Sequence, residues 1–146
     1  MPPTESIEFE CPKCHEKSNV TIHKAINATR DPASREALLA GKINEFICPK
    51  CDQKGYLLVS LLYHDMDRSF LVQYHPFPAV RNDEFLRQFD VNGRVKLESS
   101  ELAHEIDKKL KYFTSMHVVF DMAELIRYIT FRERLFAIHQ AARNQK

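Results

Sequence analysis

Two copies of one tetrapeptide, Cys11-Pro12-Lys13-Cys14 and Cys48-Pro49-Lys50-Cys51, hold every cysteine of the 146-residue chain. Each pair has the C-x2-C spacing that lets two thiolates grip one tetrahedral cation from a single tight turn. Thirty-three residues lie between Cys14 and Cys48, so the second knuckle has to fold back onto the first. The proline in each knuckle sets φ in the turn and carries no N–H. The amides of Lys13 and Cys14, or of Lys50 and Cys51, are then free to point at the first cysteine's sulfur. Four thiolates on a divalent cation leave a double negative charge, which Lys13, Lys17, Lys50 and Lys54 offset. The reading is one structural Zn2+ held by Cys11, Cys14, Cys48 and Cys51, with iron suited to the same all-sulfur tetrahedron. Such a zinc site contributes about 10–16 kcal/mol in small fingers, and whole domains are stable by about 5–15 kcal/mol. Without metal, the N-terminal region is expected to lose its tertiary order.

Other uses of the cysteines fit less well. A thioredoxin-like motif also reads C-P-x-C, but its reactive cysteine opens a helix that lowers its pKa. Here His15-Glu16-Lys17-Ser18-Asn19 and Asp52-Gln53-Lys54-Gly55 follow, and both are turn sequences. Cys14-His15 completes C-x-x-C-H, the c-type haem pattern, yet the second knuckle lacks the histidine. Two disulfides belong to exported chains, whereas Met1-Pro2-Pro3-Thr4 has neither the basic start nor the apolar stretch of a secretory signal. The expected location is the reducing cytoplasm.

The composition bounds the rest. Apolar residues are 44% and charged ones 28%, an ordinary globular mixture. No apolar run approaches the ~20 residues of a membrane span. The formal net charge of +1, slightly negative once a loaded four-thiolate site is counted, argues against a general polyanion binder.

Outward from the first knuckle, Ile7 and Phe9 alternate with glutamates, and Val20 and Ile22 alternate with Thr21 and His23. Strands on either side of the turn follow, with residues 1–6 frayed. Asp31-Pro32 is a helix start, aspartate as N-cap and proline in the first turn, and Gly41 is its stop. The helix spans Pro32 to Ala40, anchored by Leu38 and Leu39. Ile43 to Ile47 returns as a strand into the second knuckle. Tyr56 to Tyr63 is apolar on both faces and reads as one central strand. His64-Asp65-Met66-Asp67 turns the chain, and Ser69 to His75 completes a hairpin that Pro76 and Pro78 end. His64, Asp65 and Asp67 also form a candidate metal or proton-transfer cluster. Hairpin turns commonly hold such residues, because aspartate bonds nearby backbone amides, and the turn is the favoured reading.

From Asp83 the pattern becomes helical, through Phe85, Leu86 and Phe89 to Asn92-Gly93. Val95 and Leu97 read as a short extended segment, and Ser99 or Ser100 caps a helix with Leu102, Ile106, Leu110 and Phe113 at helical spacing. His117 to Phe120 reads as a strand. Asp121, with Glu124 three residues on, starts the longest helix. That helix has more than one apolar stripe. Leu125, Ile129 and Phe136 suit the core, while Phe131 and Leu135 fall outside it and form a candidate surface for a protein partner or a second copy. Arg127, Arg132, Arg134 and Arg143 are diluted by Glu124 and Glu133, a weak pattern for nucleic acid.

The chain resembles the CpXC domain of prokaryotic proteins, over roughly residues 7–130. Beyond the cysteines the likeness rests on Ile26-Asn27, Asp31-Pro32, Leu38-Leu39, Gly41, Asn44, Phe46, Leu62-Tyr63-His64-Asp65-Met66 and Phe70. A glycine often follows a knuckle's second cysteine, where this chain has His15 and Asp52. The resemblance implies a zinc-binding domain with the four cysteines as ligands, and no activity to carry over.

The fold expected is α+β: a zinc-ribbon-like double-knuckle base, an antiparallel β-sheet extended by the hairpin, and C-terminal helices. Residues 1–78 make the zinc-ribbon-like β part with its inserted helix, and 79–146 the mainly helical part on the same core. The sequence shows no nucleophile–base pair or phosphate loop. An interaction or scaffold role leads, ahead of a nucleic-acid-binding zinc ribbon, with an enzyme using His64 and the aspartates third.

Overall fold

The computed structural model describes residues 4–94 and 116–144. The extended segment expected at Val95–Leu97 and the helix from Ser99 or Ser100 through Phe113 lie outside the described residues. The fold is α+β.

Strands β1 (Thr4–Glu10) and β2 (Lys17–His23) form an antiparallel hairpin around the first knuckle. Its pairing reaches Thr4↔His23, so residues 4–6, expected to fray, are strand. Lys24 Nζ, 2.6 Å from Glu5 Oε2, adds an exposed ion pair there. Strands β4 (Glu45–Ile47) and β5 (Lys54–Tyr56) repeat the arrangement around the second knuckle. Between the hairpins run β3 (Ala25–Asn27) and helix α1 (Pro32–Leu39).

The capping of α1 follows its sequence signals. Asp31 accepts from the Ser34 amide at 3.1 Å and its hydroxyl at 2.6 Å. At the other end Gly41, at φ +76°, lets its N–H reach the Leu38 carbonyl and the Lys42 N–H reach that of Ala37. These two bonds are a Schellman stop.

Tyr56 to Tyr63 is not one strand. β5 ends at Tyr56, and β6 (Leu61–Asp65) begins after a crossing in which Leu58 is exposed. Leu57 is buried against Cys11, Ile22, Phe46 and Cys48, whereas Leu61 is buried in a separate cluster with Leu38, Val72 and Ile129. The run of apolar residues around Ser60 thus records a chain leaving one core and entering another. β6 itself is central, flanked by β3 and by β7 (Phe70–Tyr74) in the order β3-β6-β7-β8. The hairpin β6–β7 is antiparallel as expected, while β3 and β8 (His117–Val119) join it in parallel.

Pro76 and Pro78 lead into a 3-10 turn, Phe77–Arg81, followed by the short helix α2 (Asp83–Leu86). Helix α3 (Met122–Asn144) starts where the Asp121 carboxylate accepts from the amides of Ala123 and Glu124. Its Met122, Leu125 and Ile129 are buried against the sheet and Leu38. Phe136, expected in the same stripe, is 40% exposed, lying at the edge of the packed face with the Arg68 guanidinium over its ring at 4.6 Å. Among the described residues no helix is long and apolar enough to cross a membrane.

Candidate metal centre

The two knuckles are built alike, bond for bond. The Cys11 amide donates to the Glu16 carbonyl and the His15 amide to that of Cys11; Cys48 and Asp52 repeat both bonds with Gln53 and Cys48. The Lys13 amide lies 3.4 Å from Cys11 Sγ, and the Lys50 amide 3.4 Å from Cys48 Sγ. Proline at the preceding position aims these amides, as the sequence predicts. His15 and Asp52, the residues standing where a glycine is common, adopt the left-handed conformation at φ 64° and 63°. The chain keeps the turn and accepts the Cβ strain.

The hairpins bring the knuckles face to face. Cys11 Sγ is 3.6 Å from Cys51 Sγ, and Cys14 Sγ is 3.5 Å from Cys48 Sγ. All four sulfurs lie within 4.8 Å of one another. A tetrahedron with metal–sulfur bonds of about 2.3 Å has edges of about 3.8 Å. The set therefore has the dimensions to hold one metal ion. Cys11 and Cys48 are fully buried, backed by Phe46, whose ring meets Phe9 edge-on at 4.4 Å.

The thiols divide into two kinds. Burial pushes the Cys11 thiol up, but the amides of Cys14 and Lys13 and the sulfurs of Cys51 and Cys14 bring it down to about 6. Cys48 is also lowered, its burial outweighed by the amides of Cys51 and Lys50. At Cys51 the Gln53 amide lowers the thiol, yet burial and the three other sulfurs push it up to about 12. Cys14 is raised despite the Glu16 amide, by burial and by Cys48. Four thiolates this close repel one another, so a cation is what lets all four lose their protons. The surrounding lysines are shared with carboxylates: Lys17 Nζ is 3.8 Å from Glu8, and Lys50 Nζ is 3.9 Å from Glu16.

Asn44 ties the halves of this base together. Its side chain, 2% exposed, accepts from the His23 amide at 2.7 Å and donates to the His23 carbonyl at 2.9 Å. Its own carbonyl accepts from the Leu57 amide at 2.8 Å. Asn44 thus fastens the end of β2 to the segment entering the second knuckle. It sits at φ +54°, a conformation asparagine tolerates. The sequence signal was a lone amide between Ile43 and Phe46.

His64 does not join Asp65 and Asp67. Successive strand residues face opposite sides, so His64 and Asp65 diverge, while Asp65 and the exposed Asp67 line one cavity with Arg35 and Arg68. Burial lowers the His64 pKa, with Asp65 opposing it. Asp65, 2% exposed, closes the turn by accepting from the Arg68 amide at 3.0 Å. It also takes Arg68 Nη1 at 3.0 Å, and that nitrogen reaches Glu133 Oε1 at 3.2 Å. Arg35 Nη1 meets the same oxygen at 3.2 Å. The carboxylate is thus engaged in a cluster joining the hairpin turn, α1 and α3. Phe131 is 49% and Leu135 38% exposed, both off the buried stripe of α3.

The CpXC protein family matches over residues 9–139. The chain belongs to the CpXC family. The matched residues take in both knuckles, the Asn44 clamp, the β6–β7 hairpin and the packed part of α3. No curated protein and no solved structure matches this CpXC chain significantly.

Proposed function

We propose that this CpXC protein is a zinc-stabilised interaction module. One structural zinc on Cys11, Cys14, Cys48 and Cys51 locks the double-knuckle base, and helix α3 presents a surface for a protein partner. The observation that carries the reading is the approach of four sulfurs to within 4.8 Å, two of them fully buried and each fed by a backbone amide. Burial of this kind suits a metal that holds a fold, since a catalytic zinc keeps one position open. Zinc matches the all-thiolate tetrahedron, and iron would announce itself by colour. Free thiolate ligands persist where thiols stay reduced, so the reading puts the protein in the cytoplasm. Mixed charge around the knuckles, with Glu8, Glu10 and Glu16 among the lysines, favours a protein partner over nucleic acid.

The test is elemental analysis of the chain expressed without added metal, with each cysteine changed to serine in turn. About one equivalent of zinc in the wild type, lost with soluble yield in every cysteine variant but kept in His15→Ala, supports the proposal. Less than about half an equivalent after gentle purification overturns it.

A further inference from the structure

The first half of helix α3 is packed and the second half is exposed. Met122, Leu125 and Ile129 are buried, but every residue from Arg134 to Arg143 is exposed. Ten residues extend about 15 Å, and a lone helical stretch of that length is marginal in water. Its exposed apolar side chains are Phe131, Leu135 and Ile138, at the i, i+4, i+7 spacing of one face, with Phe136 beside them. Beside this face, and sharing Leu135 with it, is a groove of about 360 Å³ lined by Arg68, Phe70, Arg132, Leu135, Phe136 and His139.

The charged side chains lining this groove are two arginines, Arg68 and Arg132. Arg68 is shared with Asp65 and Glu133. Arg132 lies over the Phe70 ring at 4.7 Å and donates to the Tyr128 hydroxyl at 3.1 Å, and among the described residues it pairs with no carboxylate. Its cation is held in place by an aromatic face and left unneutralised. The sequence from Arg134 to Lys146 contains no acidic residue at all. A second copy meeting this face would therefore bring arginine and histidine against Arg132 and His139. A polyanion would meet charge but leave Leu135 and Ile138 in water.

We propose that the groove and the exposed end of α3 dock an acidic amphipathic helix of a partner protein. Its apolar side chains would cover Phe131, Leu135 and Ile138, and its carboxylates would meet Arg132 and His139. Helix-in-groove binding of this kind is read through anchors one turn apart, with charge deciding which partner is accepted. This rests on the proposed function and gives the partner surface a definite chemistry.

The experiment uses the full zinc-loaded chain and a fluorescent peptide of about 18 residues made of leucine, glutamate and alanine in an amphipathic helical pattern. Its twin carries lysine for every glutamate, and a single-stranded oligonucleotide is the third probe. At ~0.15 M salt the acidic peptide should bind at least about tenfold more tightly than its twin. Arg132→Glu should reverse that preference. His139→Glu, on the exposed arm, should shift it the same way without touching the packed body. Equal binding of both peptides, a preference unchanged in both variants, or no binding of either peptide overturns the proposal. Tighter hold on the oligonucleotide that Arg132→Glu abolishes also overturns it, in favour of nucleic acid. A chain that sediments as a dimer and binds neither peptide gives the face to a second copy. Zinc content is measured on the same samples. A metal-free wild type strikes the proposed function, whereas loaded protein indifferent to charge strikes only this docking surface.

Discussion

Replacing Asn44 by alanine removes two hydrogen bonds to His23 and places a Cβ-bearing residue without a compensating side chain at φ +54°. Each stranded backbone group costs about 1–3 kcal/mol, and His23 is half-buried, so the lower end applies. The pair therefore contributes about 2 kcal/mol, and alanine in the left-handed region adds about 1 kcal/mol. Asn44→Ala should cost about 3 kcal/mol and Asn44→Gly about 2 kcal/mol, since glycine loses the bonds but not the backbone ease. Urea unfolding of both variants with zinc in excess measures this directly. A second readout follows from position. Asn44 joins the end of β2 to the start of β4, the same two halves that the four cysteines bridge, so both variants should transfer zinc to a chromophoric chelator faster than wild type. Losses below about 0.5 kcal/mol, or an alanine variant no worse than the glycine one, would refute the clamp.

Three further outcomes follow from the geometry. Zinc binding at pH 7.5 should release between about two and three protons: Cys14 and Cys51 are raised and still protonated there, Cys11, at about 6, is already a thiolate, and the lowered Cys48 supplies the remaining fraction; calorimetry in buffers of different ionisation enthalpy counts them, and zero would sink the division. Gly41→Ala should destabilise by ~1–2 kcal/mol, since its Cβ would sit 2.9 Å from the Tyr56 hydroxyl at φ +76°; Tyr56→Phe in the same chain relieves that contact but loses the hydroxyl's bond to the Gly41 carbonyl, so it should not restore wild-type stability. Asp65→Ala should cost ~2–3 kcal/mol, by leaving the Arg68 amide without its partner and the half-buried guanidinium with Glu133 alone; thermal unfolding checks it, and His64→Ala should leave zinc content unchanged.

What the sequence alone determined is what acts over a few residues. Both knuckles, the amide-to-sulfur bonds behind each proline, the Asp31 and Gly41 ends of α1 and the Asp121 start of α3 are local geometry, and each formed where its residues stood. Tertiary structure decided the rest because the deciding partner is far along the chain. Leu57 and Leu61 look alike in an apolar run, and only their neighbours put one beside Cys48 and the other beside Ile129. Asn44 reads as an isolated amide until His23 meets it across 21 residues. Asp65 reads as a turn residue until Arg68 links it to Glu133, 65 positions further on. Phe136 has the spacing of a core residue, but periodicity states only which side of a helix is apolar. How far along the helix that side is covered is set by the packing of other elements, and Phe136 is left 40% exposed while Leu125 and Ile129 are buried.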